Sequence, residues 1–225
     1  MERIKLSNGL VAFGGAKGVG KTRFLLKLAN YLAKTGKVLF VSYSDYKERL
    51  EHVIKGIDGT INSNLELNTH LGYYCVESFL ELIEYIEEGD FKTVIIDNAE
   101  CYSLNPAETF SYPGKDGVVD ALLFISNRLK VRVMFTSYLV SNSFTEDYSS
   151  PTLNNFIWSR EIVNQCEQIY VFYRPTMYGF KFDEEGTPID DNLELISLKN
   201  EEHNEHKIIY PNSEFKFFNQ VESQI

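Results

Sequence analysis

Gly15-Ala16-Lys17-Gly18-Val19-Gly20-Lys21-Thr22 places glycines, a lysine and a hydroxyl at the spacing G-x-x-x-x-G-K-[ST]. Glycines at these places let successive backbone N–H groups converge on one anion, and a helix starting at the end of the run adds its dipole. The lysine can then reach the β- and γ-oxygens of a triphosphate, and the hydroxyl that follows can ligate Mg²⁺. Gly15, Ala16, Lys17, Gly18, Val19, Gly20, Lys21 and Thr22 therefore form a candidate nucleotide-binding loop, with Lys21 also a candidate catalytic group. A loop of this kind needs a second carboxylate to hold the metal's water shell, supplied from the end of a neighbouring strand. Asp97 closes the apolar run Val94-Ile95-Ile96, so Thr22 and Asp97 are the expected Mg²⁺ pair.

The positions around these groups argue for an α/β frame. Leu10 to Gly14 reads as a buried strand. Lys21 to Thr35 carries Phe24, Leu25, Leu28, Tyr31 and Leu32 at helical spacing before Gly36 stops it. Further strands are predicted at Val38 to Tyr43, Tyr73 to Val76, Thr93 to Asp97, Val131 to Thr136 and Ile169 to Tyr173. Helices are predicted over Tyr46 to Ile54, after the capping box Ser78/Glu81 with Phe79, Leu82, Ile83 and Ile86 on one face, and over Val118 to Leu129. Alternation of apolar strands with helices implies a mainly parallel sheet covered on both faces. Beyond Tyr173 the runs Phe180 to Phe182, Leu193 to Leu198, Lys207 to Tyr210 and Phe215 to Phe218 read as strands with no helix between them, hence an antiparallel C-terminal extension. One domain over 1–225 is expected, with a core over about 6–175 and the β-hairpin extension over about 176–220.

Composition narrows the partners. Thirty-two acids against twenty-two bases give a net charge of −10 in 225 residues, so a polyphosphate must be held by backbone dipoles and one lysine, and nucleic acid only by local basic spots. With 44% hydrophobic and 24% charged residues, a disordered tail or a fibre is excluded. Cys75, Cys101 and Cys166 are far apart and odd in number, which fits free thiols better than a disulfide framework or a zinc site. Met1-Glu2-Arg3-Ile4-Lys5 lacks the apolar core of a signal peptide. No apolar run approaches the ~18 residues of a membrane span, so a cytoplasmic protein without a membrane partner is expected.

Several segments carry a family resemblance. Beside the phosphate loop stand Val38-Leu39-Phe40-Val41-Ser42-Tyr43-Ser44 and Val131 to Leu139. A longer stretch runs from Pro151-Thr152-Leu153-Asn154-Asn155-Phe156 through Ser159, Ile162 and Glu167 to Tyr173-Arg174, and Leu195 to Glu201 follows. In this order, residues from about Leu6 to Phe218 resemble the C-terminal ATPase domain of DnaB-type replicative helicases, a RecA-like fold. The resemblance implies ATP and Mg²⁺ as cofactors and a helicase-like motor in DNA replication or recombination. It further implies single-stranded DNA, a homo-oligomer or a replication protein as partner, and the cytoplasm of a bacterium or phage-infected cell. It also implies that Arg174 and Lys199 are sensor or trans-acting groups. Only Met1 to Asn8 precede the first strand, where that family has an N-terminal domain and a linker helix, so assembly into a ring is not implied.

The departures fall on catalytic positions. The family's glutamate that activates water aligns with Ser44, which cannot serve as a carboxylate base; Asp45 is the adjacent substitute. The family's sensor glutamine aligns with Tyr138, and its arginine finger with Glu201. Ser141 to Ser150 carries Glu146 and Asp147 but no base, and the loop after Asp97 offers only Lys115. Tyr102, Phe110, Tyr112, Phe144 and Tyr148 could stack on bases or simply pack. His203 and His206 read as part of a polar hairpin turn rather than a metal site. These departures admit an alternative, a weakly hydrolysing or non-hydrolysing nucleotide-binding protein that acts through a protein partner. A small-molecule kinase is disfavoured because no arginine-rich lid is present.

Overall fold

The computed structural model describes residues 5–69, 76–99, 117–139, 151–182, 186–188, 191–200, 206–210 and 222–223. Within them run β1 (Lys5–Leu6), β2 (Leu10–Gly15), α1 (Lys21–Leu32), β3 (Val38–Ser42), α2 (Lys47–Asp58), β4 (Leu65–Thr69), α3 (Val76–Gly89) and β5 (Thr93–Asp97). These are followed by α4 (Val118–Leu129), β6 (Arg132–Ser137), α5 (Ser159–Gln165), β7 (Gln168–Tyr173), β8 (Leu193–Lys199), β9 (His206–Tyr210) and β10 (Glu222–Ser223). Every residue of β2, β3, β5, β6 and β7 is buried, which is the signature of strands covered on both faces.

These strands form an eight-stranded sheet in the order β4-β3-β5-β6-β2-β7-β8-β9. Pairing is parallel from β4 to β7 and antiparallel across β7/β8 and β8/β9. The mainly parallel sheet and its antiparallel extension are thus as expected. A separate parallel pair joins β1 to β10.

Side-chain alternation along β2 sorts the core into two layers. Leu10 and Ala12 join Leu82, Ile83 and Ile86 of α3, Leu122 and Ile125 of α4, and Ile162 of α5. Val11 and Phe13 join Phe24, Leu25 and Leu28 of α1 and Leu50 and Ile54 of α2. Phe24 meets the Phe172 ring edge-on with centroids 4.8 Å apart, while Phe13 stacks on Tyr170 at 5.3 Å. This aromatic seam fixes the first turn of α1 against β2 and β7, and with it the loop between β2 and α1.

Four expectations are revised. The third strand of the chain's parallel set is β4, not Tyr73 to Val76: Val76 opens α3, and residues 70–75 lie outside the described set. β4 is an edge strand with an alternating, half-buried pattern, a weaker signal than the apolar Tyr-Tyr-Cys-Val run. α2 extends four residues past Ile54, and α1 stops at Leu32, whose carbonyl accepts from both the hydroxyl and the N–H of Thr35. Phe180 to Phe182 makes no strand; Phe182 only bridges to Pro188, and Pro175–Tyr178 forms a 3₁₀ turn instead. Phe215 to Phe218, the Ser78 side chain and the loops 100–116 and 140–150, with their aromatic and acidic residues, lie outside the described residues.

Candidate nucleotide site at the strand ends

β2, β5, β6 and β7 are parallel, so Gly15, Asp97, Ser137 and Tyr173 end together at one edge of the sheet. In doubly wound α/β sheets this carboxyl edge is where ligands bind. The loop 15–22 lies there, between β2 and α1. Gly18 and Gly20 have φ of 83° and 114°, a region that side chains disfavour, and this turns the chain so that α1 begins at Lys21. Lys21 is buried, and its Nζ donates to the carbonyls of Gly15 at 2.7 Å and Ala16 at 3.0 Å. The same ammonium sits 4.3 Å from the centroid of the Tyr138 ring.

Thr22 Oγ1 donates to Asp97 Oδ2 at 2.6 Å, and Thr136 Oγ1 donates to Oδ1 at 2.8 Å. Asp97 is 2% exposed, and burial pushes its carboxyl above the ordinary range although both hydroxyls and Lys21 act the other way. Thr136 escaped the sequence reading. Its signal was available, since Phe135 is followed by a polar pair just where the apolar run of β6 ends beside Asp97.

Asp45 and Ser44 are placed in opposite senses. Ser42 Oγ accepts from the N–H groups of Ser44 at 3.4 Å and Asp45 at 3.2 Å, a turn that leaves Ser44 exposed and Asp45 buried. The Asp45 carboxylate raises the Asp97 pKa by charge repulsion, so it lies within electrostatic reach of the site. Arg49, one helical turn on, holds Asp45 Oδ1 at 2.6 Å. A one-residue displacement along a continuing strand would point Asp45 away; the Ser42 turn reverses that.

Tyr138 accepts a hydrogen bond from Asn98 Nδ2 at 2.9 Å, so residue 98, which the sequence reading passed over, ties the candidate sensor to the strand that carries Asp97. Arg174 follows β7 at the same edge and pairs with Asp191 at 3.5 Å, and Thr176 also donates to Asp191. The turn after Arg174 approaches the phosphate loop: a Cβ on Gly18 would stand 3.8 Å from Met177 Cε. Lys199 is elsewhere. Its β8 partner is Ile169 at the start of β7, and its Nζ donates to the carbonyls of Val163 at 2.8 Å and Cys166 at 2.7 Å, capping α5. Glu201 and His203 lie outside the described residues.

The fold is that of RecA-like ATPase domains. One solved structure, itself an ATPase domain of the DnaB-like helicase type, superposes with a TM-score of 0.71 at 16% identity, covering 92% of this chain and 88% of that one. A structure titled as a DnaB-like replicative helicase and its interactions with primase gives 0.69 at 16% identity, covering 91% of this chain and 55% of that one. In sequence, the DNA repair protein RadA of Campylobacter jejuni is 35% identical over 96 residues, which span 42% of this chain and only 20% of RadA. No family model matches the chain. Among the described residues, no helix is long and apolar enough to cross a membrane.

Proposed function

We propose that the chain is a Mg²⁺-dependent ATP-binding and ATP-hydrolysing RecA-like protein that acts in DNA replication or recombination. The observation that carries this reading is Asp97, a buried carboxylate bridged by the Thr22 and Thr136 hydroxyls beside Lys21. A carboxylate and an alcohol oxygen are hard donors that suit Mg²⁺, and the glycine turn before α1 leaves backbone N–H groups to face phosphate oxygens. Bound Mg²⁺ would supply charge neutralisation at the β- and γ-oxygens. Lys21 would exchange its carbonyl partners and the Tyr138 face for phosphate. Asp45 would accept the proton of an attacking water, oriented by Arg49. The likeness to helicase ATPase domains and to RadA supports a nucleic-acid context.

A second reading is favoured by one specific placement. Lys199, expected to reach a neighbouring subunit, is committed to the end of α5 in its own chain. Nucleotide would then stabilise a conformation or a partner interface with little turnover. ATP binding and phosphate release, measured with and without single-stranded DNA alongside Lys21→Ala and a solution mass, separate the two. DNA-stimulated turnover in an oligomer supports the motor; tight binding without turnover supports the accessory protein; no binding at all refutes both.

A further inference from the structure

At the opposite edge of the sheet, where β3, β5 and β6 begin, lies a second cavity of about 570 Å³. A five-residue strand such as β5 separates the two edges by about 16 Å. The lining is polar, with Thr35, Asn127, Lys92, Lys130 and Arg132 among it, one carboxylate from Glu167, and no aromatic ring.

Arg132 is the unusual member. It is 6% exposed, and its Nε donates to Ser7 O at 2.6 Å while Nη2 donates to Asn8 Oδ1 at 2.8 Å and, more weakly, to Leu6 O at 3.4 Å. All of these acceptors are neutral. Among the described residues no carboxylate pairs with it, and its Nη1 makes no hydrogen bond. Burial of the uncompensated cation is what lowers its pKa. A buried guanidinium normally has an anionic partner, because removing a charge from water is costly.

Lys130 adds a second cation at a conformational cost. It follows α4 with φ 55°, a left-handed position that glycine occupies more readily, and it has no ion pair among the described residues. Complementing the end of α4 explains a cation near this point but not one held in that conformation. Lys92 is the lesser contributor, since Asp90 already holds its ammonium at 2.9 Å.

We propose that this cavity binds a small multivalent oxyanion, with Arg132 Nη1 and Lys130 as its charge partners and Thr35 and Asn127 as neutral donors. The lack of aromatic surface excludes a base-stacking ligand, and the shared chemistry is that of a compact phosphate or carboxylate compound. Nothing in the proposal depends on ATP turnover at the other edge.

The test uses the full chain in about 150 mM salt without Mg²⁺, where weak surface attraction is screened. Pyrophosphate and citrate are titrated in separate arms, with calorimetry for affinity and hydrogen exchange for location. Protection of residues 126–132 is expected from at least one probe. That effect should persist in Lys21→Ala and weaken about tenfold in Lys130→Gly, the loss of one charge-assisted contact. Lys130→Gly should meanwhile melt at a higher temperature, since it relieves the left-handed backbone. Lys130→Gln, which keeps a side chain on that backbone, should lose the same factor in affinity. The probe that protects 126–132 identifies a phosphate or a carboxylate source. Protection confined to residues 14–22, loss of the effect in Lys21→Ala, or unchanged affinity in both Lys130 variants overturns the proposal.

Discussion

Asp45→Asn removes the charge a general base needs while keeping the size and polarity of the side chain. Its structural cost is small. The Arg49 side chain that pairs with Asp45 is 69% exposed, and an ion pair so open to solvent is worth under about 1 kcal/mol. In a domain of this size that lowers the melting temperature by no more than about 4 °C. The chemical cost is larger: losing a general base lowers turnover by ~10²–10⁴, or about 2.7–5.4 kcal/mol of barrier. Steady-state phosphate release at saturating ATP should therefore collapse while binding of a fluorescent ATP analogue and the melting curve stay near the parent's. Ser44→Ala, a change at an exposed hydroxyl, should alter turnover less than about threefold. The reasoning fails if Asp45→Asn turns over within threefold of the parent, or if Ser44→Ala is the variant that loses a hundredfold. A parent without measurable turnover would remove the hydrolytic reading and leave the nucleotide-dependent partner protein.

Asp97→Asn should abolish Mg²⁺-dependent turnover yet stabilise the fold at neutral pH. Because burial raises this carboxyl above its ordinary 3.8, the folded chain holds the extra proton between the two values, and stability falls as pH rises across that window and stays lower above it. Urea midpoints at pH 7 that fall rather than rise would contradict this. Lys199→Met strips two carbonyls at the end of α5 of their donor and should cost about 1–2 kcal/mol in urea unfolding; an unchanged midpoint would show that the cap is idle. Cys166 is buried with its thiol pushed up to about 12, so peptide-level labelling at pH 8 should reach it only after unfolding.

The phosphate loop, Asp97 and the parallel core were legible because each rests on a local pattern: a spacing of glycines, a carboxylate ending an apolar run, helices with one oily face. Other features depend on geometry that no single segment encodes. The inward turn of Asp45 comes from two N–H groups sharing one Ser42 hydroxyl, which breaks strand alternation just where an alignment assumes it continues. Lys199 matched a position in a related pattern, but its partners Val163 and Cys166 are set by where α5 ends in space. β4 was obscured by its position at the sheet edge, where half the side chains face outward and apolar content understates the strand. Arg132 showed least of all, because in sequence it is one base at the start of a strand and its burial depends on Leu6, Ser7 and Asn8 folding across it.

The strand that carries the phosphate loop pairs on one side with β6 and on the other with β7, so Gly14 is matched to Ser137 and Gly15 to Phe172. During synthesis from the N-terminus, β2 and α1 therefore emerge early but wait for partners made much later. Until residue 172 has left the ribosome, one edge of β2 stays unpaired and the aromatic seam beneath α1 lacks Phe172. Nucleotide affinity is thus a late checkpoint in the life of the chain. Truncated nascent chains should acquire it abruptly once β7 is available, and the apolar β2 is the segment most exposed to aggregation or chaperone capture before then.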